Sequence, residues 1–331
     1  RRPLQALGVE FARSGAPEQP CRFLVCEDFG TRGLEGNPLL FEDPTTNGHT
    51  PREDFYWFWR NIGRSGKTGD DLGRWGLGKT VYRAASRVRC MLGLTVRNSD
   101  RQRLLMGQTV LRIHWDNGQE YQPEGYWCSA QNESGLPLPI VDEAELQDFC
   151  RDWRLCRGDD PGLSVVAPFI PAELKADRIL QAVAVNFFAR ILRGDLIVEV
   201  VGPELGTVTL DRDGLAAACE RIEWSGPKRT KRHMAPPVAF ADRCLGQAPE
   251  IESELLGVSG APDFSAAFPD DTLNQLRSRF AVGDFVAARV RMALPRHNVN
   301  SQEGHVDVYV QRREGGGRGV AQDDVDDVRA E

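Results

Sequence analysis

The segment Gly73, Gly76, Leu77, Gly78, Lys79, Thr80 constrains this chain more than any other. Its three glycines let the backbone take conformations that side chains forbid. The lysine and threonine then open what reads as a helix over 78–92. Val81, Ala84, Ala85, Val88 and Met91 recur at helical spacing and form one apolar face. Arg83, Arg87 and Arg89 occupy much of the remainder. The first turn of a helix points unpaired N–H groups, and the positive end of its dipole, at whatever lies ahead. Behind a glycine loop such a terminus suits an anion, above all a phosphate. The plainer reading is a glycine loop that only turns the chain into a helix.

The spacing Gly73, four residues, Gly78, Lys79, Thr80 is also that of a P-loop. A P-loop requires a buried strand directly before its first glycine, because the strand aims the loop at the helix. Residues 61–72 are instead polar and glycine-rich, with no valine, and read as loop. No later strand ends in an acid placed to hold Mg²⁺. Further upstream the run Arg22, Phe23, Leu24, Val25, Cys26 has strand character. It delivers Glu27 and Asp28, and then Gly30 and Gly33.

A strand that ends in an Asp followed by two glycines resembles the second nucleotide motif of the GHKL ATPases. That superfamily groups gyrase, the ninety-kilodalton heat-shock chaperone, histidine kinases and MutL. In it the Asp accepts a hydrogen bond from the adenine amino group, and the glycines let backbone pass close to the base. Two residues separate Gly30 from Gly33, where the family usually has one. Asn61, Ser65 and Gly66 resemble the start of the chaperone's lid, and Gly73, Gly76, Leu77, Gly78 and Lys79 the third motif. Asp160, Pro161, Gly162, Leu163 and Ser164 resemble the final motif, a Gly-Thr at the head of a buried strand. Leu163 replaces the Thr, so a hydroxyl has to come from Ser164 or be absent. The matches fall in family order over roughly 150 residues, a more specific signal than any one of them.

The resemblance implies an α/β (α+β) two-layer sandwich of the Bergerat type, with a mostly antiparallel sheet, and a smaller transducer-like segment. It implies ATP and Mg²⁺ as ligands, and lid closure that drives homodimerisation or engagement of a partner protein. Asp28 reads adenine; Lys79, Thr80 and the helix N-terminus hold phosphate. The general-base Glu and the Mg²⁺-binding Asn of the family precede the Asp28 strand. Residues 1–20 contain no Asn, so the expectation is that both lie upstream of Arg1, with no metal ligand in the chain and ATP hydrolysis belonging to a longer protein. A histidine-kinase-like phosphotransferase, a non-hydrolysing interaction scaffold and a P-loop NTPase remain as alternatives.

The rest of the sequence bounds these readings. With 331 residues, 41% hydrophobic and 27% charged, the chain has material for a packed core. The net charge of −7 speaks against a dedicated nucleic-acid binder, though not against a local basic patch. The eight cysteines form no CxxC pair, and no run of about 18 apolar residues offers a membrane span. A cytoplasmic globular protein is expected. Organisation is read as an ATP-binding domain over 1–204, a transducer-like or partner-binding module over 205–313, and a flexible tail over 314–331 that continues in a longer protein. Strands are expected at 22–27, 92–97, 104–115 and 120–128, with a turn at Asp116, Asn117 and Gly118. Residues 54–60, a dense aromatic run, read as a helix packed beneath the lid. Asp142 is expected to start a helix over 142–154. A helix over 177–192 is expected to bury Ile179, Val183, Phe187 and Ile191. Residues 280–292 and 305–311 alternate as paired strands. Lys228, Lys231 and their basic neighbours form a solvated loop, a γ-phosphate sensor of transducer type or a nucleic-acid contact.

Overall fold

The structure, a computed structural model, describes residues 21–40, 42, 52–61, 78–129, 135–222, 224, 237–254, 267–296 and 299–312. It is a mixed α/β protein with several helices and antiparallel sheets. Internal contacts divide the chain into two units, before and after the Leu174–Lys175 bond.

The first unit is built on five strands: β1 (Phe23–Glu27), β2 (Cys90–Val96), β3 (Arg103–Val110), β6 (Glu124–Trp127) and β7 (Gly162–Pro168). They lie in the order β1-β7-β2-β3-β6, and every pairing is antiparallel. Alternate residues of a strand face opposite sides, so both faces of this sheet are apolar. One face carries Met91, Leu104, Met106 and Val165. Phe55 and Trp59 of helix α1 (Asp54–Trp59) and Tyr82 of helix α2 (Thr80–Ala85) pack there. The other face carries Leu94, Leu105 and Val166, covered by Leu146 and Phe149 of helix α3 (Glu143–Asp152) and by Ile140.

Local propensity does not explain α1. Its sequence DFYWFW is rich in residues that favour strands. Burial overrides that preference: Phe55 is 0% and Trp59 1% exposed. Gly93 makes room for it, since an added Cβ would sit 2.9 Å from the Trp59 ring. α3 begins as its sequence suggests, with the Asp142 side chain accepting from Glu145 N–H at 3.0 Å.

α2 departs from the expected helix over 78–92. Ser86 turns extended, with φ −91° and ψ 129°, Arg89 has φ +54°, and the chain is already strand at Cys90. Val88 and Met91 of the predicted apolar face are buried, but beyond α2, and within the helix the face is overturned. Val81 is 60% exposed, whereas Arg83 is buried and its guanidinium donates to Gln108 Oε1 at 2.6 Å. A buried arginine with an acceptor satisfies one of its donors, so hydrophobic periodicity misassigned the face of α2. The strand expected over 104–115 ends at Val110. Strands β4 (His114–Asp116) and β5 (Gln119–Tyr121) then form a separate hairpin. Its turn is the expected one: Asn117 and Gly118 both have positive φ, at 50° and 78°, the type I′ geometry of a two-residue hairpin.

In the second unit, helix α4 (Ala176–Leu192), the hairpin of β8 (Val198–Gly202) and β9 (Gly206–Leu210), and helices α5 (Leu215–Arg221) and α6 (Val238–Gly246) share one core. The boundary read at 204/205 thus falls within the turn of that hairpin. Phe187 of α4 is 46% exposed; the buried positions are Leu180, Gln181, Ala184, Ile191 and Leu192. A strict four-residue repeat drifts about 40° per step around a helix, so it cannot follow one buried stripe for three turns. Strand β10 (Ile251–Glu252) pairs parallel with β11 (Val286–Arg296), which pairs antiparallel with β12 (Val299–Val310). Residues 280–285 are not strand as expected. Helix α7 (Asp270–Ala281) ends there, and Gly283, with φ +92°, reverses the chain.

Candidate functional site

Asp28 stands at the end of β1, beside the head of β7. Its N–H donates to Leu163 O at 3.0 Å, and its Oδ1 accepts from Leu163 N–H at 2.7 Å and from the Thr31 hydroxyl at 2.8 Å. Among the described residues Oδ2 accepts no hydrogen bond, and the side chain is 51% exposed. The site therefore holds a carboxylate fixed by one oxygen and offering the other.

The glycines around it are required for two different reasons. Gly30 has φ +70° with open space around its Cβ position, so only its backbone angle demands glycine. Gly33, at φ +71°, also lies so close to β2 that a Cβ would meet Val96 O at 2.3 Å. Leu34 N–H then donates to the buried Thr95 hydroxyl at 2.8 Å, which itself donates to Gly162 O at 3.0 Å. The loop after Asp28 is thereby pinned across the ends of β2 and β7.

Beneath Asp28 lies a residue that sequence reading missed. Arg157, in the loop between α3 and β7, has a fully buried side chain. Its Nε donates to Ser164 Oγ at 2.7 Å, Nη1 to Asp160 O at 2.9 Å and Nη2 to Asp28 O. Its guanidinium stacks 4.7 Å from the Phe29 ring centroid. Burial lowers its pKa, while Asp28, Glu27 and Asp160 pull the other way; a guanidinium stays charged in such surroundings. Ser164 is 0% exposed, and its hydroxyl also donates to Glu27 Oε1 at 2.7 Å. That hydroxyl serves the Glu27–Arg157 pair. Glu27 also accepts from Cys156 N–H at 2.8 Å.

The glycine-rich segment forms a second group. Gly78, Lys79 and Thr80 lead into α2, which packs on β7 and β2. The Lys79 side chain is buried, and its Nζ donates to Trp57 O and Asn61 O at the C-terminal end of α1. Burial, and then the Arg83 charge, lower its pKa from 10.5 to about 8. Tyr82 of α2 packs against the apolar core on the same face of the sheet. Burial first, then the charges of Cys26 and Asp28, push its phenol up to about 12. The structure thus brings Asp28, Gly30, Gly33 and Ser164 to one end of the sheet, and Asn61 to Lys79. Ser65, Gly73, Gly76, Leu77, Lys228 and Lys231 lie outside the described residues.

The cysteines offer no nucleophile among the groups that shift: burial raises Cys26, and raises Cys90 to about 11. Among the described residues no group of three or more His, Cys, Asp or Glu could hold a metal ion. Among them, too, no helix is long and apolar enough to cross a membrane. No family model, curated protein or solved structure matches the chain.

Proposed function

We infer that this chain carries a nucleotide pocket of the GHKL kind, in a Bergerat-type arrangement, and acts as an ATP-driven conformational switch. The observation that carries the reading is the joining of two separately recognised motifs. Asp28 and Leu163, 135 positions apart, meet through a 2.7 Å hydrogen bond. Where the resembled family uses a threonine hydroxyl beside its Asp, Leu163 supplies a backbone N–H. Oδ2 is then left to accept from the amino group of adenine, and the space beside Gly30 is open. The wholly antiparallel sheet supports the same reading and weighs against a P-loop, whose strand–loop–helix unit builds parallel sheets.

The switch would act through Lys79. A phosphate that draws its ammonium away from Trp57 O and Asn61 O uncaps the end of α1. Lid closure, dimerisation or partner engagement would follow from that movement. Mg²⁺ would enter with the phosphates; among the described residues no group of three or more His, Cys, Asp or Glu forms a donor set for it. A second reading, a non-hydrolysing interaction scaffold, draws on Ser164 and Lys79 both being engaged with protein partners.

Calorimetry with Mg²⁺ and a non-hydrolysable ATP analogue separates these. The GHKL reading expects binding by the wild type and a loss of about tenfold to a hundredfold in Asp28→Asn, the value of a hydrogen bond to a charged acceptor. No binding by folded wild type leaves the scaffold. Loss confined to Lys79→Ala, with Asp28→Asn unchanged, points to a P-loop.

A further inference from the structure

We propose that Arg157 is the positioning residue of the inferred nucleotide site, setting the Asp28 carboxylate without touching the ligand. The inference rests on the reading of Asp28 given above. Four features of the structure carry it. The side chain is fully buried, so it is not itself a ligand contact in this arrangement. All three guanidinium nitrogens are used, on Ser164 Oγ, Asp160 O and Asp28 O, which ties β7, its leading loop and the end of β1 to one rigid plane. That plane also stacks on Phe29, so both the residue that carries the offered carboxylate and the one after it are held from below. Gly162 has no side chain where this happens: a Cβ there would lie 2.6 Å from Arg157 Nη1, 2.3 Å from Asp28 O and 2.6 Å from Asp28 Oδ1.

The chemistry that follows is selective. A carboxylate acceptor favours the 6-amino group of adenine and disfavours the 6-oxo group of guanine, and it does so only if its position is fixed. Loosening Asp28 therefore lowers the preference for ATP over GTP. A general loosening of the fold lowers both affinities together.

The test measures Kd for ATP and for GTP, each with Mg²⁺, on wild type, Asp28→Asn, Arg157→Met and Arg157→Lys, with thermal unfolding of each. Arg157→Met is expected to weaken ATP about tenfold or more and to shrink the ATP/GTP preference. Arg157→Lys, which keeps the charge but not the planar three-way contact, is expected to fall between it and wild type, and it carries the test if Arg157→Met does not fold. Loss of discrimination in Asp28→Asn with wild-type discrimination in a folded Arg157 variant overturns the role of Arg157 alone. Equal ATP affinity in wild type and Asp28→Asn, or no ATP binding by folded wild type, overturns the reading of Asp28 and the proposal with it.

Discussion

At Gly162 the backbone takes φ +146°, and its missing side chain is what allows Asp28 and Arg157 to approach each other. Gly162→Ala forces strain at that angle and an overlap with backbone that cannot swing away. The expected cost is about 2–3 kcal/mol of stability by denaturant unfolding, with weakened ATP binding in whatever remains folded. Unchanged stability would mean that the β1 end relaxes freely. The strand end before Asp28 and the turn through Gly30 and Gly33 were legible in the sequence, because an apolar run followed by an acid and two glycines is a local pattern. Arg157 was not. It is one of 41 basic residues, and its decisive contact, with Asp28, spans 129 positions. The motif had pointed to Ser164 for its hydroxyl; the strand register, Glu27 opposite Ser164, turns that hydroxyl into the partner of Glu27 and Arg157.

Among the elements, the hairpin turn at Asn117 and Gly118 and the Asp142 cap were readable, since each is fixed by residues within three positions of one another. The length and face of α2 were not, because Arg83 is buried by a partner on β3 that local periodicity does not see. α2 and α1 meet through Lys79, and this junction has a pH signature. Its folded pKa, about 8, lies below the ordinary 10.5. Between these values the unfolded chain binds more protons than the folded one, so this residue's contribution to stability rises as pH rises from about 8 to 10.5. Urea unfolding of wild type and Lys79→Met across that window should show the difference moving in favour of wild type. A difference that stays flat, or moves the other way, contradicts the buried ammonium.

On the scale of the molecule, composition and motif order foretold a mixed α/β protein with antiparallel strands, and the five-stranded sheet has that character. Its strand order was not legible, because β1 joins β7 across more than a hundred residues and no local pattern encodes such a pairing. That pairing is also what brings the two motifs together, so the account stands on whether Asp28 reads an amino group. The most direct measurement is a cycle of wild type and Asp28→Asn against ATP and purine riboside triphosphate, which lacks the 6-amino group. The account predicts that wild type loses about tenfold or more in affinity when the amino group is removed, and that Asp28→Asn loses much less. An equal loss in both proteins would show that the amino group and Asp28 do not interact, and would contradict the account.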